Sequence, residues 1–217
     1  RSGMAQARSL DRSTGDVVDL DPTSADQRFV ALRGDDVVWT DFREDEDGRY
    51  DETGYDAADL HGLLGGVATP IVRAPFKQAF AEVAGEQIVW LDWRNYPHDE
   101  AGYPRPEPKF AFFDIRGGLL GQSELQETFH LGQVAQGTLD GLPTLTGGAV
   151  AWASGKAHNV HVLAAQFAPD QVGVDLTVGF DVADTPLLLD THLVFRAGEA
   201  LEVVGLDPLD AALPPAP

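Results

Sequence analysis

The 217-residue chain has no cysteine, a single methionine, and only 15 Lys and Arg residues against 35 Asp and Glu, for a formal charge of −20. Each shortage removes a class of function. Without cysteine there is no disulfide framework, no thiolate zinc site and no thiol nucleophile. The cations are too few and too scattered for a groove that neutralises phosphates, which argues against nucleic acid and against an anionic membrane surface as partners. The longest apolar runs, such as Pro186-Leu187-Leu188-Leu189, fall far short of the roughly 20 residues of a membrane-spanning helix. Helical patterns are scarce too, since Ala74 to Val83 is broken near its start by Pro75 and Ser123 to Phe129 is short.

What is present suffices for a core: 43% of residues are hydrophobic and 9% aromatic. The chain opens on Arg1-Ser2-Gly3-Met4 without a charged and apolar leader, and it closes on a Pro-rich tail from Ala211 to Pro217. Both ends read as cut from something longer. Low lysine content and a pI near 4.4 fit an exported or salt-adapted protein, because carboxylates hold hydration and repel neighbours at high ionic strength.

Three segments repeat. They are Arg33-Gly34-Asp35-Asp36-Val37-Val38-Trp39-Thr40-Asp41-Phe42-Arg43, then Ala84-Gly85-Glu86-Gln87-Ile88-Val89-Trp90-Leu91-Asp92-Trp93-Arg94, then Thr146-Gly147-Gly148-Ala149-Val150-Ala151-Trp152-Ala153-Ser154-Gly155-Lys156. Each is a glycine turn, a β-branched run, a Trp and a polar exit. Trp39, Trp90 and Trp152 lie 51 and 62 positions apart, the span of a four-stranded β unit with one generous loop. The insertions that follow are related as well, through Asp51-Glu52-Thr53-Gly54-Tyr55 and Asp99-Glu100-Ala101-Gly102-Tyr103. Next strands are expected at Tyr55 to Leu60, Phe110 to Ile115 and Ala157 to Leu163. Alternation puts Val37, Trp39 and Asp41 on one strand face and Val38 on the other. With both faces apolar, each such strand needs cover on two sides. Val172 to Phe180, Leu187 to Phe195 and Ala200 to Leu206 supply further strands, so the fold class is all-β.

The block Gly-(Asp/Glu)-x-(Val/Ile)-Val-Trp-x-Asp-x-Arg, then a loop and an aromatic strand ending in Asp, resembles the TolB-like β-propeller repeat of bacterial and archaeal periplasmic and cell-surface proteins. Gly34 to Arg43 and Gly85 to Arg94 carry the resemblance; the third unit departs from it, with Ser154 and Lys156 where Asp and Arg would stand. It implies a β-propeller-like array of four-stranded blades, three recognisable and a fourth at most from Val172 to Leu206, closed as a small ring, forming an arc of a larger propeller, or followed by a separate sandwich-like domain. The organisation expected is an extension over 1–24, repeats over 25–165, further strands over 166–208 and a Pro-rich tail over 209–217. The resemblance also implies export to the periplasm or cell surface, and a scaffold that binds a protein or polysaccharide partner.

Trp39, Trp90 and Trp152, flanked by Val and Ile, read as packing between units rather than ligand platforms. Asp41 with Arg43, and Asp92 with Arg94, project on one side and are expected to tie the turn to a neighbouring strand. Recognition belongs to the insertions, because loops on a rigid scaffold carry it. Asp45, Glu46, Asp47, Asp51 and Glu52 offer oxygen ligands for calcium, although they lack the register of an EF-hand loop. An acidic run of this kind is otherwise a solvated loop. Trp93, Tyr96 and Tyr103, among the prolines of the second insertion, together with Tyr50 and Tyr55, suit contact with a protein or glycan. Catalytic signatures are missing: there is no Gly-x-Ser-x-Gly elbow and no phosphate-cradling loop before a helix. His158 and His161 are three apart on a strand and face opposite ways, while His61, His98, His130 and His192 are scattered. The expected function is a non-enzymatic scaffold. The alternative is a propeller-type hydrolase or lyase, or an accessory segment of one, with its carboxylates in the insertions.

Overall fold

The computed structural model describes residues 4–45, 48, 57–95, 112–121, 124–125, 128–135, 142–146, 148–156, 159–167, 174–176, 187–189 and 191–206. All regular structure among them is β. A hairpin of β1 (Arg8–Leu10) and β2 (Val17–Asp19) comes first. Sheet I follows with β3 (Gln27–Arg33), β4 (Asp36–Asp41), β5 (Asp59–Leu64) and β6 (Val67–Val72), paired antiparallel in chain order. Sheet II repeats the plan with β7 (Gln78–Ala84), β8 (Gln87–Asp92), β9 (Phe112–Leu119) and β10 (Phe129–Ala135), and sheet III with β11 (Thr144–Leu145), β12 (Ala149–Lys156), β13 (Asn159–Gln166) and β14 (Val174–Asp175). Sheet IV contains β15 (Leu187–Leu188), β16 (His192–Ala197) and β17 (Ala200–Gly205).

The hairpin turns follow from the glycines. Gly34, Gly85 and Gly198 sit at φ +57°, +56° and +60° in Gly-Asp or Gly-Glu turns, the left-handed conformation that a tight hairpin requires and that glycine enters without steric cost. The third strand of sheet I begins at Asp59 instead of Tyr55, while that of sheet II is described from Phe112 and Phe110 lies outside the described residues. Strand register is fixed by backbone pairing with the preceding Trp strand, which puts His61 opposite Trp39 and Arg116 opposite Trp90, whereas hydropathy places the sheet I start at the aromatic Tyr55. The long strand expected from Leu187 to Phe195 is two, β15 and β16. Ala74 to Val83, the stretch with helical composition, gives most of its length to β7.

The core lies between sheets. Ile88 and Trp90 of sheet II pack with Val38, Leu60 and Ile71 of sheet I. Val150 and Trp152 of sheet III pack in the same way on Val89, Ile115 and Leu131 of sheet II. Leu193 and Phe195 of sheet IV pack on Ala149 and Ala151 of sheet III. Two-sided apolar strands are therefore covered on both faces, as in Val38 and Trp39, which are 1% and 0% exposed. Each sheet buries its neighbour's face and none has a private core.

The segment before the N-terminal hairpin is tied to sheet I. Gln27 donates its backbone N–H to the Ala5 carbonyl at 2.8 Å, just as Gln78 donates to Ala58 at 2.7 Å. Ala7 is buried like Leu60, whereas β1 and β2 are exposed throughout.

Candidate functional site

The Trp-x-Asp-x-Arg residues form a clasp that is built twice. In sheet I the Asp41 carboxylate, fully buried, accepts the Trp39 indole Nε1–H at 3.0 Å and three bonds from Arg43, through its backbone N–H (3.0 Å), Nε (2.8 Å) and a terminal nitrogen (2.7 Å). In sheet II Asp92 accepts from the Trp90 Nε1–H at 3.0 Å and from Arg94 at 2.9, 2.8 and 2.7 Å. A strand places Trp, Asp and Arg on one side because they are two residues apart. Burial alone would raise the Asp41 carboxyl, but the bonds from Arg43 and Trp39 outweigh it and hold it below the ordinary carboxylate range. The Arg43 guanidinium is raised in return, chiefly by its bond to Asp41. The clasp fixes the backbone at the point where the chain leaves β4 or β8 for an insertion. Its charged groups are consumed by each other.

The third unit shows what the motif is for. Ser154 holds the strand position of Asp41 and Asp92, and the Trp152 Nε1, buried at 1% exposure, has no hydrogen-bond partner. The tie expected between the motif and a neighbouring segment exists in sheet I, where Arg43 also bonds Asp21 and Gln27 Nε2 reaches Asp41 at 3.2 Å.

Trp93, read in the sequence as a contact ring, is 8% exposed. Its ring centroid lies 4.5 Å from Phe113 and 6.3 Å from Phe80, and the Lys77 ammonium sits 5.6 Å from the Trp93 ring and 5.6 Å from the equivalent Phe42 ring. It is committed to the packing between sheets, where a cation held between two aromatic faces is itself stabilising. Asp45 accepts the Ala57 backbone N–H at 3.1 Å, so it pins the returning end of the first insertion. Glu46, Asp47, Tyr50, Asp51, Glu52 and Tyr55, and Tyr96, Asp99 and Tyr103 of the second insertion, lie outside the described residues.

Two features escaped the sequence reading. The first is a cluster of Asp21, Asp41 and His61, whose ligand atoms lie within 4.8 Å of one another. Arg43 bonds both carboxylates, so their charge is already answered from within the chain. His61 Nε2 is buried without a hydrogen-bond partner, and desolvation followed by Arg43 keeps the ring below its ordinary pKa. The second is a cavity of about 410 Å³ at the same end of sheets I and II, lined by Glu44, Ala57, Asp59, Arg73, Ala74 and Phe76. Asp59 is 5% exposed. Burial, with smaller contributions from Glu44 and Asp41 against opposing ones from the Ala74 backbone and Arg73, pushes its carboxyl up to about 6. The available signal was register: Asp59 lies directly across from Asp41, and the corresponding Asp114 across from Asp92.

Comparison with known proteins adds little. No protein-family profile matches the chain, and no curated protein matches its sequence. A solved puromycin-hydrolysing peptidase of Mycobacterium tuberculosis aligns at a TM-score of 0.36 and 15% identity, over 83% of this chain and 37% of that one. The chain thus spans well under half the length of that protein.

Proposed function

We propose that the chain is a propeller-like scaffold of the TolB type, part of an exported protein, and that it binds a protein or polysaccharide partner through the loop face at the ends of β4 and β8. The observation that carries this reading is the repeated clasp. Two neighbouring sheets invest a buried Asp, an Arg and an indole in fixing the exits of their insertions at the same end of the array, which is how a scaffold presents loops in a defined pose. The Trp and Asp-Arg residues are absorbed by that task, so recognition falls to the insertions. Calcium bound by the acidic residues from Asp45 to Glu52 would order the first of them.

The test replaces residues 46–56 and 96–110, separately, with short Gly-Ser linkers and measures thermal melting and binding to a polysaccharide array and to candidate protein partners. Recognition lost with the melting temperature retained supports the loop face. Binding that survives both replacements overturns it. A calcium titration with magnesium as control, at about 150 mM salt, must raise the melting temperature of the intact chain and not of the first variant if calcium orders that loop.

A further inference from the structure

The two sheets differ most at one carboxylate. In sheet II, Asp114 is 2% exposed and well supplied: Asn95 donates at 2.6 Å and Gln133 at 3.1 Å, with Arg116 at 3.8 Å and His130 at 3.5 Å. In sheet I the positions of those donors have changed chemistry. Glu44 holds the place of Asn95, directly after the clasp arginine, so an amide donor has become a second carboxylate. His61 replaces Arg116 opposite the Trp. Arg73, one residue beyond the Leu60–Val72 pair and thus in the place of Gln133, extends to Glu124 at 2.9 Å. Asp59 has the Ala74 N–H near it, but that group donates to Gln78 Oε1 at 3.2 Å, and the carboxylate lines the cavity. The position of a satisfied structural carboxylate has become a buried acceptor opening onto free volume.

We infer that this cavity binds an alkylammonium group, carried by a lysine side chain of a basic partner, with Asp59 as its acceptor and Glu44 at the mouth. Ala57, Ala74 and Phe76 line the same open pocket and give the methylene stem apolar surface to lie on. An ammonium fits better than a guanidinium, because it reaches a carboxylate that is only 5% exposed as a compact charge on a slim stem, whereas a planar guanidinium needs room to engage both oxygens. The charge of −20 draws basic partners toward the surface. Burial raises the Asp59 carboxyl to about 6, so at about pH 7.5 it is ionised and able to accept a cation. The charged groups around it are Glu44, Asp41 and Arg73, and Arg73 is answered by Glu124. This inference rests on the loop-face reading and names the chemistry of the partner.

The experiment is an amide NMR titration of the whole chain at about pH 7.5 and about 150 mM salt, first with n-pentylammonium chloride and then with a blocked Gly-Lys-Gly peptide and its norleucine counterpart. Saturable shifts at Ala57, Ala74 and Phe76 are expected from the amine and the lysine peptide, and none from the norleucine peptide. Asp59→Asn should weaken both at least about tenfold, and the unmodified chain at about pH 5 should weaken comparably as the carboxyl is protonated, a readout that needs no variant. Non-saturating shifts spread over the acidic surface, or binding unchanged in Asp59→Asn and at the lower pH, overturn the inference. Binding of the free amine without the peptide overturns the partner's identity. If partner binding still depends on the insertions while no amine binds, the pocket fails and the loop-face reading stands.

Discussion

The clasp makes the three tryptophans unequal. Trp39 and Trp90 each give an indole N–H to a buried carboxylate, while Trp152 keeps a buried N–H with no partner. Replacing any of them by Phe removes similar volume, but at the first two positions it also strips a charged acceptor of a donor, worth about 1–3 kcal/mol. At position 152 it removes an unsatisfied polar atom. Urea unfolding should therefore show Trp39→Phe and Trp90→Phe costing about 1–2 kcal/mol more than Trp152→Phe; equal costs would deny the clasp a role in stability. Asp59 works in the opposite sense. Its folded-state carboxyl at about 6 lies above the ordinary 3.8, so the native state takes up the proton more readily than the unfolded chain, and stability falls as pH rises from about 4 to about 6. Asp59→Asn removes that cost. It should stabilise the protein at about pH 7.5 by on the order of 2 kcal/mol and leave it unchanged below about pH 4. Parallel stability curves for variant and parent across that window would contradict the assignment.

Among the elements, β10 shows how closely sheets approach. Its register shifts between His130 and Gly132, and a Cβ on Gly132 would lie 2.4 Å from Cζ2 of Trp152. The glycine is the surface on which the next sheet's indole rests. Gly132→Ala must displace a buried ring or the strand, with an expected cost of about 1–3 kcal/mol from overpacking; a melting temperature unchanged by this substitution would mean that the two sheets are less tightly joined than the geometry requires. The sequence made the second strand of each unit legible, because Trp39, Trp90 and Trp152 recur with the same flanks and the glycine turns precede them. It was less informative about the strands on either side. The first strand of sheet I, Gln27 to Arg33, alternates poorly, and its start is set by the backbone bond from Gln27 to Ala5 and the side-chain bond from Gln27 to Asp41. Such bonds leave no trace in hydropathy. The cavity was invisible for a related reason: Asp59 differs from Asp114 only through what stands opposite and beside it, and sequence spacing alone does not reveal a missing donor.

At the scale of the molecule, burial is shared between neighbours, so the sheets stand or fall in series. Removing one would open two apolar faces, one on either side of the gap. That arrangement was readable in part, since strands apolar on both faces demanded cover on both sides. The tie between Ala5 and Gln27 was not, because it is a backbone bond and residues 4–24 carry no trace of the Trp motif. One irregularity runs through the array. In β3 and β7 the ladder slips at the same place, between Arg28 and Ala31 and between Ala79 and Glu82. Phe29 and Phe80, also 51 positions apart, take left-handed backbone angles there, with φ of 53° and 58°, and their rings meet at 4.1 Å. A phenylalanine in that conformation costs on the order of 1 kcal/mol or more, and a glycine would occupy it more cheaply. Two sheets that bear the same costly residue at the same slip answer it jointly, because each ring leans on its twin and replacing either phenylalanine takes that contact from the other.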